Sequence, residues 1–317
     1  IYLPDKKRPM LPTILSDTLC SLEEGVTRFA VALDLYVDNN GNIVKYDFHN
    51  VSICVNKNYV YEEPSLLQWK DYYYLYDIIS MMNRKINYVQ NFSDSHDVVA
   101  YTMILTNYLS AVELKKYKQG IFRGVEIGEV NTISVDLPSD VLKVLRVYQT
   151  NGGIYTLLGE GNDKHELLAL DSYIHITSPI RRLVDILNQI KLLSLKGLIT
   201  TSENSEKFYT TWISPESLEY INNSMKAIRK LQNDCSILSL CVSNESVLSK
   251  IYKGYLFNRI KRVDKLFQYT LYLPELHVMN RYISRYELSN YTCCNIKLFI
   301  FINTANFKKK IRMEIVV

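Results

Sequence analysis

The chain has 317 residues, 47% of them hydrophobic and 22% charged, which excludes an intrinsically disordered chain and suffices for one large core plus a small second domain. Its 37 basic residues face 33 acidic ones, a formal charge of +4, which permits a nucleic-acid partner without demanding one, so any such site has to be a local patch. Six cysteines with no C-x-x-C pair and no histidines at zinc spacing read as free thiols in an intracellular, reducing compartment, cytoplasmic or nuclear.

In chain order, three prolines within residues 1–12 rule out a regular helix, and residues 1–30 are expected to run extended over a surface. Phe29 to Tyr36 alternates as a strand, Asn39-Asn40-Gly41-Asn42 is a turn, and Ile43 to Phe48 returns as the second strand of a hairpin. Val51 to Tyr61 reads as another β-like run, and Ser65 to Asn83 as a helix. A second helix is expected over Asp97 to Tyr117, with Val98, Tyr101, Ile104, Leu105, Leu109 and Val112 at helical spacing and lysines near its C-terminal end. Leu137-Pro138-Ser139 opens a short helix, Tyr148 to Leu158 reads as turn plus strand, and Ser202 to Lys207 as a loop. Ser214-Pro215-Glu216 caps a long helix reaching about Tyr252, its inner face formed by Ile221, Met225, Ile228, Leu231, Cys235 and Leu238. Short strands follow at Tyr255 to Lys261, Leu266 to Leu273, Ile296 to Ile302 and Lys310 to Val317, a pattern that suits a small barrel. Ile296 to Ile302, the longest apolar run, is too short to span a bilayer, and no signal peptide is visible. A first residue of Ile1 reads as a fragment, a processed product or the ordered part of something longer.

Tyr173 to Asp185, Y-I-H-I-T-S-P-I-R-R-L-V-D, carries the most chemistry. Ser178 is a good N-cap and Pro179 suits a first helical position, which places Arg181 and Arg182 in the first turn of a helix. Cations do nothing for that end of the dipole, whereas a phosphate there would be held by forked guanidiniums and free amides together. The alternative is that both arginines pair with carboxylates elsewhere in the fold.

This stretch resembles the H-F-T-S-P-I-R-R-Y-x-D signature of the RNase II / RNase R family, the 3′→5′ exoribonucleases built on the RNB domain. Tyr2 to Leu22 is similar to the family's Y-x-P-D…P-M-L-P…L-S-x-x-L-C-S-L segment, Tyr61-Glu62-Glu63 to its L-x-Y-E-E, Met103 to Asn107 to its M-I-x-A-N, and Lys164 to Asp171 to the segment leading into the signature. Gly120 to Ile127 resembles the strand after the second helix. The resemblance implies an α+β fold: an RNB-type domain of mixed sheet and long helices over residues 1–252, without its N-terminal metal-binding portion, then an OB-fold β-barrel over 253–317.

It further implies hydrolysis of single-stranded RNA to 5′-nucleotides, with Arg181 as the phosphate-binding catalytic arginine. RNA contacts would fall on Tyr2, Tyr61, Tyr173, Thr177, Ser178 and Arg182. His165 and His175 are positioning residues. The family's Mg²⁺ would be held by aspartates N-terminal to the Tyr-x-Pro-Asp motif, and no such cluster occurs in these residues, so a second chain or an upstream segment would have to carry it. Ala100 and Tyr101 stand where the family has paired glutamates, Gln189 and Ile190 where it has a His-Arg pair, and Gln232 where it has a supporting glutamate. These departures favour an alternative, a catalytically inactive RNB-like protein that binds RNA or serves as a structural subunit. Without the resemblance, the chain reads as a helix-rich scaffold with tyrosine-lined interfaces. In the last segment Arg259, Lys261, Arg262, Phe267, Tyr269, Lys308, Lys309 and Lys310 interleave as a single-strand-binding face or a solvated surface.

Overall fold

The computed structural model describes residues 1–127, 137–161, 163–244, 246–304 and 308–316, and the fold is α+β. Two strands, β1 (Thr27–Val37) and β2 (Ile43–Cys54), pair antiparallel from Thr27↔Cys54 to Tyr36↔Lys45. Their turn is set by local chemistry, because the Asp38 carboxylate accepts from the Asn40 and Asn42 amides at 2.9 and 2.8 Å while Gly41 takes a φ of +80°. The run expected from Val51 to Tyr61 is therefore divided: its first four residues complete β2, and residues 56–61 are irregular.

The expected helix from Ser65 to Asn83 forms as two pieces, α1 (Pro64–Leu67) and α2 (Lys70–Lys85). They separate at Trp69, whose backbone is extended and whose ring stacks on Tyr59 at 5.8 Å. Helix α3 (Ser95–Lys116) starts from a capping box in which Asp94 and Asp97 each accept the other's backbone N–H. Strands β3 (Ile121–Ile127) and β4 (Thr150–Leu157) form a two-stranded sheet, and α4 (Ser139–Gln149) precedes β4. Helices α5 (Leu183–Leu195), α6 (Glu203–Trp212) and α7 (Pro215–Ser243) follow. The expected loop at Ser202 to Lys207 is the start of α6, since the Ser202 hydroxyl caps the Ser205 N–H. α7 ends nine residues before Tyr252; a short α8 (Ser246–Ser249) comes first, and Leu231, expected on the inner face, is exposed while Ile237 and Cys241 are buried.

Five strands close the chain: β5 (Ile251–Lys261), β6 (Phe267–Leu273), β7 (Val278–Ser284), β8 (Cys293–Asn303) and β9 (Lys308–Ile315). All pairings are antiparallel, in the order β7-β6-β5-β8-β9. That order is consistent with an OB-like domain, but among the described residues the sheet is open and not a closed barrel. Gly254 lies at its centre, where an added Cβ would sit within 3 Å of Leu271, Ile296 and Leu273.

Two compact units are present. One comprises Ile1–Arg8, Gly128–Thr150 and Asn223–Val317, the other Pro9–Ile127 and Asn151–Asn222. The strand-rich part begins at Ile251, beside the expected boundary at 252, but its compact unit also takes in earlier stretches. In the first unit the core packs Ile237, Cys241, Leu256, Tyr269, Leu271, Ile296 and Leu298 on one face of the sheet. In the second, α2 and α3 enclose Ile79, Met82, Val98, Tyr101, Leu105 and Tyr173. Among the described residues no helix is long and apolar enough to cross a membrane, and all six cysteines are free.

Candidate nucleic-acid interface

The signature stretch is built from buried amides. Residues 173–176 run beside β3, with the Arg123 N–H donating to the Tyr173 carbonyl at 2.8 Å and a bridge between Phe122 and Ile174. Asn188 on α5 donates to the carbonyls of Ile121 and His175, both at 3.0 Å, and accepts the Ile121 N–H at 2.8 Å. Gln189, next along the helix, donates to the Ile176 carbonyl at 3.0 Å. From α3, fully buried Asn107 accepts the Ile176 N–H at 3.0 Å and donates to the Tyr173 hydroxyl at 2.9 Å. Each of these backbone groups would otherwise be buried without a partner.

Beyond Ile176 the local reading needs correction. α5 does not start at Ser178-Pro179. It starts at Leu183, and Arg182 precedes it in extended backbone with φ −132° and ψ 122°. The physical reason is Asp185. Its fully buried carboxylate reaches back from the first turn of α5 and accepts the Ser178 N–H at 2.7 Å. The segment between closes as a turn, with the Arg181 and Arg182 amides both donating to the Ser178 carbonyl. The two arginines therefore precede the first turn of α5 and do not stand within it.

The arginines are not equivalent. Arg182 points inward and pairs with Asp185 at 2.9 Å, a carboxylate within the signature itself and not one from elsewhere in the fold. Burial raises the Asp185 carboxyl above the usual carboxylate range, against the pull of the Arg182 guanidinium and the Ser178 N–H. Arg181 is exposed; it donates to the Ser178 hydroxyl at 3.2 Å, and among the described residues it has no carboxylate partner. The turn thus presents one guanidinium to solvent on a base fixed by the other.

Tyr173 and Thr177 face the interior instead of solvent. Tyr173 is 3% exposed, and the Thr177 hydroxyl is buried with no hydrogen-bond partner among the described residues. His165 is buried edge-on to Tyr173 at 4.9 Å, and burial, reinforced by the Arg123 charge, pushes its imidazole down to about 4, so it is neutral at pH 7. His175 meets the Tyr155 hydroxyl through Nδ1 at 2.7 Å, and the Arg123 guanidinium lies 5.5 Å from the Tyr155 ring centre.

Tyr61, in the same unit, is 47% exposed and stacks one face on His96, with centroids 3.6 Å apart and planes at 17°. The next residue locks it. Glu62 adopts a φ of +56°, and its carboxylate accepts the Ser95 N–H and hydroxyl at 2.6 Å each, while its own N–H donates back to Ser95 Oγ. In the other unit, residues 1–8 fold back on themselves and are not an extended strap. The Arg8 N–H reaches the Ile1 carbonyl, Tyr2 bridges Lys7, and Arg8 grips Asp5. Tyr2 is half-exposed, and its carbonyl accepts from Gln232 Nε2 at 3.0 Å.

Asn107, Asn188 and Asp185 escaped the sequence reading as site residues. Two of them stood inside recognised strings, Asn107 at the end of M-I-L-T-N and Asp185 at the end of the signature. Where the family's paired glutamates would stand, Ala100 offers a methyl group and Tyr101 is packed into the core against Tyr88 at 5.3 Å. Among the described residues no three His, Cys, Asp or Glu side chains group so as to hold a metal ion. The donor set present does not fit the expected Mg²⁺.

The RNB domain family model matches residues 1–69. Ribonuclease R of Buchnera aphidicola (strain APS) is 24% identical over 332 aligned residues, covering 82% of this chain and 44% of that protein. The chain is similar to the RNase II/R family. It spans less than half the length of the curated ribonuclease R relatives it matches first. Two solved structures share the fold. Mycoplasma genitalium RNase R, in its complex with double-stranded RNA, matches with a TM-score of 0.66 at 14% identity, covering 99% of this chain and 65% of that one. Yeast Ssd1, described as a pseudonuclease, matches with a TM-score of 0.65 at 16% identity, covering 89% and 42%. Within this RNase R-like fold, Arg181, Tyr61 and Tyr2 are exposed residues that stand on the family's motifs.

Proposed function

We propose that the chain grips the 3′-terminal stretch of single-stranded RNA in the manner of an RNase II/R protein. The observation that carries this reading is the division of labour between the two arginines: Arg182 is spent on buried Asp185, and Arg181 is held outward with no carboxylate partner among the described residues. A guanidinium so placed offers a forked pair of donors to a phosphate oxygen. Ser178 flanks it, Tyr61 offers an exposed ring for base stacking, and Tyr173 and Arg182 act from beneath by fixing the turn, with Thr177 beside them; Tyr2, exposed in the other unit, is a separate candidate for stacking. The resemblance to ribonuclease R makes RNA the polyanion of choice and a 3′→5′ exoribonuclease the parent activity.

Two observations favour binding without cutting by these residues alone. No carboxylate stands at positions 100 and 101, and no metal-holding group exists among the described residues. A fold-neighbour described as a pseudonuclease is in keeping with that. Hydrolysis to 5′-nucleotides would require carboxylates from a second chain or an upstream segment.

The test is a gel series with 5′-labelled single-stranded RNA, with and without Mg²⁺, on the wild type and Arg181→Ala. A retarded band that stays full-length and is weakened by Arg181→Ala is the expected result. Ladder-like shortening that requires both Mg²⁺ and Arg181 would instead mean that a metal site is completed. Absence of any retardation would overturn the RNA reading.

A further inference from the structure

Helix α2 is apolar on two faces, and the core accounts for one of them. Tyr72, Ile79 and Met82 are buried in the cluster shared with α3. About a quarter turn round the helix, at 3.6 residues per turn, Tyr74, Leu75 and Ile78 are 56%, 45% and 41% exposed. Leu67 and Trp69, just ahead of the helix, are exposed as well. Single exposed apolar residues are ordinary, but a contiguous stripe of them marks a surface that takes part in an interaction.

The charges on the same stripe point to the partner. Asp71 and Lys85 lie seven residues on either side of Ile78, two turns each way, and therefore stand on its side of the helix. Both are exposed. Among the described residues Asp71 has no hydrogen bond or ion pair, and Lys85 has no carboxylate in ion-pair contact; its ammonium donates to the Asn42 side-chain oxygen at 2.5 Å. A two-fold axis through Ile78 would bring a second copy of α2 alongside in the antiparallel sense. Asp71 of each copy then meets Lys85 of the other, Leu75 meets half-buried Met81, and Ile78 meets itself. Parallel packing would instead oppose Asp71 to Asp71 and Lys85 to Lys85, so the charges select one orientation.

We propose that α2 is a homodimer interface, packed antiparallel on a second copy of this chain, with Ile78 on the axis and an Asp71–Lys85 ion pair at each end. A polyanion suits this stripe poorly, because Asp71 and Asp77 stand on or beside it. The inference is independent of the RNA reading. The 16 residues of α2 make a helix about 24 Å long. Its face is small beside the roughly 800 Å² per partner of a standard interface, so dissociation in the micromolar range is expected.

The experiment is sedimentation velocity on the full chain without RNA, from about 1 to about 100 µM, a range that brackets a micromolar constant. The wild type is expected to pass from one chain to two. Ile78→Glu should stay a single chain throughout, with its urea midpoint unchanged because the side chain it replaces is on the surface. Asp71→Lys opposes two lysines at both ends and should weaken the dimer by about tenfold. Adding Lys85→Glu to that variant restores opposite charges and should return the constant to within about threefold of the wild type. Carbodiimide coupling should join Asp71 to Lys85 in the dimer band. Within one copy these residues are about 21 Å apart along the helix, so that link forms only between copies.

A wild type that remains a single chain over the whole range overturns the proposal. So does a dimer that Ile78→Glu and Asp71→Lys leave intact, which would place the contact elsewhere on the chain. A loss in Asp71→Lys that Lys85→Glu fails to restore would rule out the antiparallel pairing.

Discussion

The signature turn and the C-terminal sheet solve the same problem with opposite materials. Around residues 173–189 the interior is polar: Asn107, Asn188, Asp185 and Arg182 are buried or nearly so, and each holds a backbone group or a charge in place. In the sheet the interior is almost wholly apolar, and Phe299 and Phe301 stand on the outside of β8. A buried hydrogen-bonded network admits one geometry, because every alternative leaves a polar group unpaired. An apolar core fixes the sheet through shape alone and leaves its outer surface free to vary. The difference teaches that Arg181 owes its placement to what lies beneath it, whereas Phe299 and Phe301 owe theirs only to strand parity.

The largest way to break this contrast is Asp185→Ala. It strands the Arg182 charge and the Ser178 N–H inside, and a loss of about 3–5 kcal/mol is expected in urea unfolding. Arg181→Ala, four residues away, should leave stability within about 0.5 kcal/mol while weakening RNA binding. Equal destabilisation by both variants would dissolve the distinction between the arginines.

A pH series sharpens the comparison next. His165 is held near 4 while an unfolded histidine titrates near 6.5. Between those values the unfolded chain takes up a proton that the folded chain refuses. Stability is therefore complete above pH 6.5 and falls as the pH drops toward 4, by up to ~3 kcal/mol. His165→Phe should flatten that limb. A second limb belongs to Glu113. Burial alone would raise its carboxyl, but hydrogen bonds from Lys116, Lys196 and Tyr46 bring it down to about 2. Its contribution is present above 4.5 and is lost on further acidification, so Glu113→Gln should alter only the more acidic limb.

In the sheet, Gly254→Val tests packing without charge. Its new side chain would collide with Leu271, Ile296 and Leu273, and about 1–3 kcal/mol should be lost, with no change in the pH profile. The smallest effect is expected for His96→Ala, which removes the ring beneath Tyr61. Stability should change by less than ~1 kcal/mol, and RNA affinity should fall by a few-fold if Tyr61 is a stacking platform. Unchanged affinity in both His96→Ala and Tyr61→Ala would remove that loop from the interface.

Much of the architecture was legible where the chemistry is local. The Asp38-to-Asn42 turn and the Asp94/Asp97 box act within three or four residues, so the hairpin and α3 could be read from the chain directly. The α+β class and the family strings were equally accessible. β7 escaped because Asn280 and Arg281 interrupt its alternation; it is a strand because Leu273 and Val278 pair across the turn at Pro274–Leu276.

What the sequence by itself determined is the α+β class, the elements with local signals such as the β1–β2 hairpin and α3, and the motif that marks the site. Only the tertiary structure decided which members of that motif face outward. Ser178 and Pro179 carry every local sign of a helix start, yet the Asp185 carboxylate takes the Ser178 amide and makes a turn there. Tyr173 and Tyr269 look like stacking rings on paper, and the packing of α3 and of the sheet buries both. Local propensities of that kind are worth about 1 kcal/mol, and a buried carboxylate or a core-filling ring outweighs them because its desolvation has to be compensated by one particular partner.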